Sequence, residues 1–185
     1  DDIAYNNHDI QDGIKANLFT LEDLIEINFF KEIYKSHIKN KNSNNRKILI
    51  YQIIRDSIDF MVRDLINNTI KNLKKNKINN IQKIYNTTNP IVCFSNKYVE
   101  IEKEIKLFLR NKMYRNKNVV KKNKQGKKIV KKLYILISKN PYKYLNREQL
   151  NENKTRAIAD FISGMTDRYA INLYNDIKWI YLMNI

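Results

Sequence analysis

Residues 46–75 read RKILIYQIIRDSIDFMVRDLINNTIKNLKK. Apolar residues recur there at spacings of three and four, and Ile50, Ile54, Ile58, Met61, Leu65 and Ile66 form one stripe. That period is the signature of an amphipathic helix and predicts one from about Arg46 to Lys75. The same period extends outward. Segment 1–16 carries Ile3, Tyr5, Ile10 and Ile14 among polar residues and ends near Gly13. Thr20 can cap a second helix whose Leu21, Leu24, Ile25 and Phe29 face inward. Helix is expected again from about Lys97 through Tyr114, from Val119 to Lys139, and from about Arg147 to Leu182. The polar stretch Asn40 to Asn45 reads as a loop. Asn89-Pro90 breaks the mixed segment 76–96, because proline disfavours helix before it. Beyond it, Ile91-Val92-Cys93-Phe94 reads as a short strand or as buried coil. No repeat or interdomain linker interrupts the pattern. The expected fold class is all-α, a helical bundle forming one compact unit or part of one.

Composition narrows the function classes. The chain has 185 residues with 35 Lys and Arg against 19 Asp and Glu, so 35 − 19 gives a net charge of +16. Hydrophobic residues make up 43% of it, too many for a disordered chain. With 3 Gly and 2 Pro there is little turn chemistry, which argues against a sandwich or barrel of short strands. The single cysteine, Cys93, excludes an internal disulfide framework and a multi-cysteine zinc site. No apolar run approaches the roughly 18 residues needed to span a bilayer. A cytoplasmic protein without membrane contact is the expectation. The chain opens Asp1-Asp2-Ile3-Ala4-Tyr5 without a Met, as a longer sequence entered within a helix would. Asn, Ile and Lys are abundant, as an AT-rich genome favours, so part of the charge can be drift on a solvated surface.

Three constellations carry chemistry. Asp1, Tyr5 and Asp9 are spaced by four and project from one helical face. Two carboxylates flanking a tyrosine can hold a metal and a hydroxylated ligand, or simply favour the helix dipole. His8-Asp9 is not a metal site by itself, since neighbours on a helix point about 100° apart, and His37 is the only other histidine. Lys106, Arg110 and Tyr114 again repeat by four, with Arg115 beside them, inside a basic run from Lys103 to Lys132. Such a face can grip a triphosphate, can attract single-stranded nucleic acid, or can be a solvated surface. The lysine-rich tract 121–128 reads as an exposed loop or helix edge. Finally, Gly164-Met165-Thr166-Asp167-Arg168-Tyr169-Ala170 places a glycine inside a helical pattern, where close packing is the usual reason. Thr166, Asp167, Arg168 and Tyr169 are expected to form a buried polar network with a structural role.

Three stretches together carry a resemblance: DDIAYNNHDIQDGIKANLFTLEDL at 1–24, LFLRNKMYRNKNV at 107–119 and ADFISGMTDRYA at 159–170. With MVRDLINNT at 61–69 and KKIVKKLY at 127–134 in order, the chain resembles the C-terminal portion of the deoxynucleoside triphosphate triphosphohydrolases (dGTPase family, HD superfamily). The resemblance implies hydrolysis of a dNTP to deoxynucleoside and inorganic triphosphate, with 1–36 as the end of the HD-type catalytic core and 37–185 as an associated helical region. It implies a divalent ion (Mg, Mn or similar) held by a His, a His-Asp pair and a later Asp, the last falling on Asp1. Tyr5 and Asp9 then match the sugar-contacting pair, Asp9 taking the 3′-hydroxyl. Lys106, Arg110, Tyr114 and Arg115 match positions lining the phosphate and sugar pocket, and Asn116 stands where many relatives have His. A homo-oligomer, often a hexamer, is also implied. One metal ligand of four is present, so the chain is expected to be inactive alone, binding no ion. The alternative is a non-catalytic basic module that binds single-stranded nucleic acid or complements a separate N-terminal half.

Overall fold

The computed structural model describes residues 1–39 and 45–183. Among them every regular element is helical, in agreement with the all-α expectation. The loop expected at Asn40 to Asn45 lies, except for Asn45, outside the described residues. Instead of the one compact unit expected, the chain divides into two, Asp1–Asn116 and Lys117–Ile185, each burying its own apolar core. A helix, residues 28–39, crosses the boundary expected after residue 36.

In the first unit α1 (Asp2–Lys15) packs on α4 (Arg46–Lys75) and on α6 (Asn96–Leu109). Two shorter helices intervene, α2 (Leu21–Leu24) and α3 (Asn28–Lys39), the latter packed on α4, and the one-turn α5 (Ile81–Tyr85) follows α4. The core collects Ile10, Phe19, Leu24, Phe30, Ile53, Met61, Ile105 and Leu109. The expected second helix is thus two, broken after Leu24. α4 keeps its predicted limits, but its stripe is only partly buried: Ile54 and Met61 are inside, whereas Ile66 is 53% exposed. The reason is length. At 1.5 Å per residue the 14-residue α1 covers about half of the 30-residue α4. Beyond Met61 the neighbour becomes irregular chain. Asn68 and Asn72 donate to the carbonyls of Cys93 and Ile91 at 2.8 and 3.0 Å, and Asp64 accepts from the Ser95 backbone and hydroxyl at 2.9 and 2.7 Å. Segment 91–94 is therefore coil tied down by amides, not a strand.

α1 ends at Asn17, whose φ of 53° closes a Schellman turn: the Leu18 N–H donates to the Gly13 carbonyl and the Asn17 N–H to Ile14. The turn throws Phe19 back over Gly13, and the ring of Phe19 occupies the space that a Cβ at residue 13 would need, 2.2 Å from its Cε1. The far side of that ring meets Phe108 of α6 edge-to-face, centroids 4.9 Å apart. The glycine read as a helix end is thus a packing site.

In the second unit α7 (Lys117–Lys139) packs on α8 (Arg147–Ser163) and α9 (Asp167–Met183) around Leu133, Ile137, Leu150, Ile158 and Ile162. The lysine tract 121–128 is exposed helix, the helix-edge alternative of its reading, within the helix expected from Val119 to Lys139. The expected final helix is two, broken at Gly164, and α8 is itself kinked at Asn153, whose side chain recaps the chain by accepting from the Arg156 N–H at 3.0 Å. Thr166, Asp167, Arg168 and Tyr169 stand exposed at the head of α9 rather than in a buried network, and Thr166 Oγ1 accepts from the Tyr169 N–H at 3.3 Å.

The two helical glycines predict opposite outcomes. Gly13→Ala must displace the buried Phe19 ring and lowers unfolding free energy by about 1–3 kcal/mol. Gly126→Ala meets nothing within 4 Å and gains up to about 1 kcal/mol of helix propensity. Chemical denaturation of the two variants separates them; equal stability of Gly13→Ala and the parent would refute the wedge.

Candidate functional site

α1 and α6 run side by side, and two polar rungs join them. Lys106 Nζ donates to Asp2 Oδ2 at 2.8 Å, and the Tyr114 hydroxyl donates to Asp9. The rungs show that the helices are parallel. On α1 the two anchors are seven residues apart, which at about 100° per residue returns to the same face after nearly two turns. On the other side of this ladder they are eight apart. In a regular α-helix the eighth residue would have rotated about 80° past the face. It has not, because residues Arg110–Tyr114 form a π turn, in which the Arg115 N–H donates to the Arg110 carbonyl at 3.0 Å. One wider turn absorbs the extra residue and aims Tyr114 at Asp9. Turns of this kind inside α-helices gather at functional sites. The sequence places Lys106, Arg110 and Tyr114 on one face by a spacing of four; the face depends on this turn, which no sequence signal announces.

The electrostatics follow from the pairing. Burial pushes the Tyr114 phenol well above its ordinary value, and the hydrogen bond to Asp9 and the nearby Asp9 charge push it further. It is a neutral donor, holding Asp9 as an oriented acceptor whose other oxygen takes no hydrogen bond among the described residues. Tyr5 is exposed and near enough to raise the Tyr114 phenol slightly. Lys106 sits between Asp2 and Glu102, at 2.8 and 2.9 Å, and both carboxylates raise its pKa, Asp2 foremost. Arg110 and Arg115 bracket the π turn, exposed and paired with no carboxylate among the described residues. Two uncommitted guanidiniums beside a sugar-sized acceptor and donor suit a phosphorylated ligand.

A second ion pair touches the same turn. Lys112 Nζ donates to Asp23 Oδ1 at 2.7 Å, while Asp23 Oδ2 accepts from the Thr20 N–H at 2.8 Å and the Thr20 hydroxyl at 3.0 Å. The sequence identifies Thr20 as a cap but not the reciprocal box with Asp23.

Metal chemistry is another matter. Asp1 is exposed at the head of α1 and no three His, Cys, Asp or Glu side chains among the described residues come together as an ion site. His8 is exposed and His37 is engaged elsewhere, its Nε2 2.7 Å from Asp56 Oδ2. Among the described residues, therefore, no set of side chains is assembled to ligate an ion.

Residues 92–176 match the phosphohydrolase-associated domain family. The chain is 67% identical over 173 residues, 94% of its length, to a deoxyguanosinetriphosphate triphosphohydrolase-like protein of Pelagibacter ubique, of which the match covers 47%. It is 36% identical over 184 residues to a protein of the same description in Leptospira interrogans, covering 96% of this chain and 48% of that one. A third, in Thiobacillus denitrificans, is 32% identical over 176 residues, 92% of this chain and 46% of the relative. The chain spans about half the length of the curated relatives it matches. Among the described residues no helix is long and apolar enough to cross a membrane.

The Asp23 clamp has a pH signature. Lys112 and the two Thr20 donors lower its carboxyl from 3.8 to about 2. The folded state therefore favours the ionised form, while the unfolded chain takes up the proton first. Stability from this group is complete above pH 3.8 and is lost as pH falls towards about 2. Asp23→Asn should flatten that part of the acid-unfolding curve; an unchanged slope would contradict the pairing.

Proposed function

The chain is a homologue of the deoxyguanosinetriphosphate triphosphohydrolase-like proteins, and from that premise we propose that it supplies the sugar- and phosphate-facing half of a dNTP pocket. The observation that carries the reading is the Asp9–Tyr114 pair beside Arg110 and Arg115. Asp9 accepts the 3′-hydroxyl of the sugar, Tyr114 holds that carboxylate in place, and Tyr5 packs against the sugar. Lys106, Arg110 and Arg115 neutralise the phosphates. In the reaction water attacks the α-phosphorus, the bond to the 5′-oxygen breaks, and inorganic triphosphate and deoxynucleoside separate. The divalent ion and its His and His-Asp ligands come from polypeptide other than these residues, with Asp1 contributing one carboxylate. A cytoplasmic homo-oligomer, hexameric as the resemblance implies, goes with this reading.

The test uses the pure chain with dGTP. Binding should be measurable by calorimetry, and Asp9→Asn should weaken it about tenfold, as removal of one hydrogen bond to a charged group does. Triphosphate release should be undetectable with Mn²⁺ present. Unchanged affinity in Asp9→Asn, or release by the chain alone, would overturn the reading.

One observation favours a second reading. α7 holds nine lysines and no acidic residue, and those from 117 to 128 are exposed. Such a helix suits a single-stranded nucleic-acid backbone. Affinity for a labelled oligonucleotide should then fall steeply as salt rises. Lys→Gln changes at 121, 124 and 128 should reduce that slope by about one unit for each phosphate no longer neutralised. A salt-independent affinity would exclude it.

A further inference from the structure

Three contacts surround the π turn. On one side Tyr114 reaches Asp9 of α1, and on another Lys112 reaches Asp23 of α2 at 2.7 Å. Behind them Phe19, one residue before the Thr20 cap, is wedged between Gly13 and Phe108. A π turn has poorer intrinsic geometry than the α-helix and is kept only where surrounding contacts over-determine it. The backbone of residues 110–114 would gain regular hydrogen bonds by closing back to an α turn. Tyr114 would then rotate off the face that carries Asp9.

Lys112 is placed to prevent this. It lies in the middle of the turn, and its partner is held on both oxygens: Lys112 takes Oδ1, and the Thr20 backbone and hydroxyl take Oδ2. Asp23 is therefore a fixed anchor rather than a mobile surface carboxylate. Any change in helical register at 112 moves the ammonium away from that anchor.

We infer that Lys112 and Asp23 are positioning residues, a strut that holds the π turn open and so keeps the Tyr114 hydroxyl on Asp9. Neither touches the proposed ligand; they act through Tyr114. The inference rests on the reading of Asp9 and Tyr114 as the sugar-facing pair, but its test does not need a nucleotide.

The experiment follows the ¹³Cζ resonance of Tyr114 at neutral pH in the full chain with labelled tyrosine, assigned by its disappearance in Tyr114→Phe. That resonance reports the phenol's hydrogen bond, and Asp9→Asn supplies its value when the carboxylate partner is removed. Lys112→Met and Lys112→Gln should both move the Tyr114 signal towards the Asp9→Asn position with far-UV helicity unchanged. Lys112→Arg, which can still reach Asp23, should restore it. Lys103→Met removes an exposed lysine paired with Glu100 on α6 and should leave it unmoved. A Tyr114 resonance identical to the parent in both Lys112 variants would overturn the strut. Loss of helicity in both would overturn it equally, by showing that the pair holds the fold and not the tyrosine. Failure of dGTP binding with the resonance shifts as expected would count against the nucleotide reading and leave the strut standing.

Discussion

An aromatic ring standing in the place of a missing Cβ holds the first unit in register. Phe19 fills the gap over Gly13 and meets Phe108 edge-to-face, so α1 and α6 are held together where their polar rungs form. Hydrogen bonds between exposed side chains are too weak to dictate how two helices dock. A buried ring wedged against backbone can. The Schellman turn at Asn17 delivers that ring, and the Thr20–Asp23 box begins immediately after it. Packing thus comes first, and the candidate site is assembled on top of it.

The site itself is a problem of matching periods. Two parallel helices can share two rungs only if their residue counts between rungs agree in phase, and seven against eight do not agree for ordinary α-helices. The chain resolves the mismatch with one π turn. That turn sets a neutral phenol against a carboxylate, with the exposed Arg110 and Arg115 flanking it in the chain. A pocket for a polyanion needs cations that are not already engaged in internal pairs, and Lys106, held by Asp2 and Glu102, shows what an engaged one looks like.

Much of the helical order was legible in the sequence because apolar period is a local property. The limits of α4 could be read from its stripe. The juxtaposition of Asp9 with Tyr114 was anticipated only through the family resemblance, since a spacing of four on each helix says nothing about which helices meet. What was illegible is non-local. Ile66 continues the stripe of α4 yet is exposed, because burial depends on the length of a partner helix. The break at Gly164 hides in a continuous pattern, since glycine is tolerated within helices as well as at their ends. The motif around it reads as a buried network and stands exposed.

The helices are punctuated almost without glycine or proline. Asn45, Asn80 and Asn146 accept at helix starts, Asn153 restarts α8 after its kink, and Asn17 takes the left-handed position that ends α1. Asparagine can do all of this, because its short amide both mimics a backbone acceptor and tolerates positive φ. Its codons are also rich in adenine and thymine, whereas those of glycine and proline are not. A lineage whose genome drifts towards those bases would be expected to lose its turn residues and blur its helix ends. In a chain with 3 Gly and 2 Pro, asparagine supplies the punctuation that such a drift would otherwise erase.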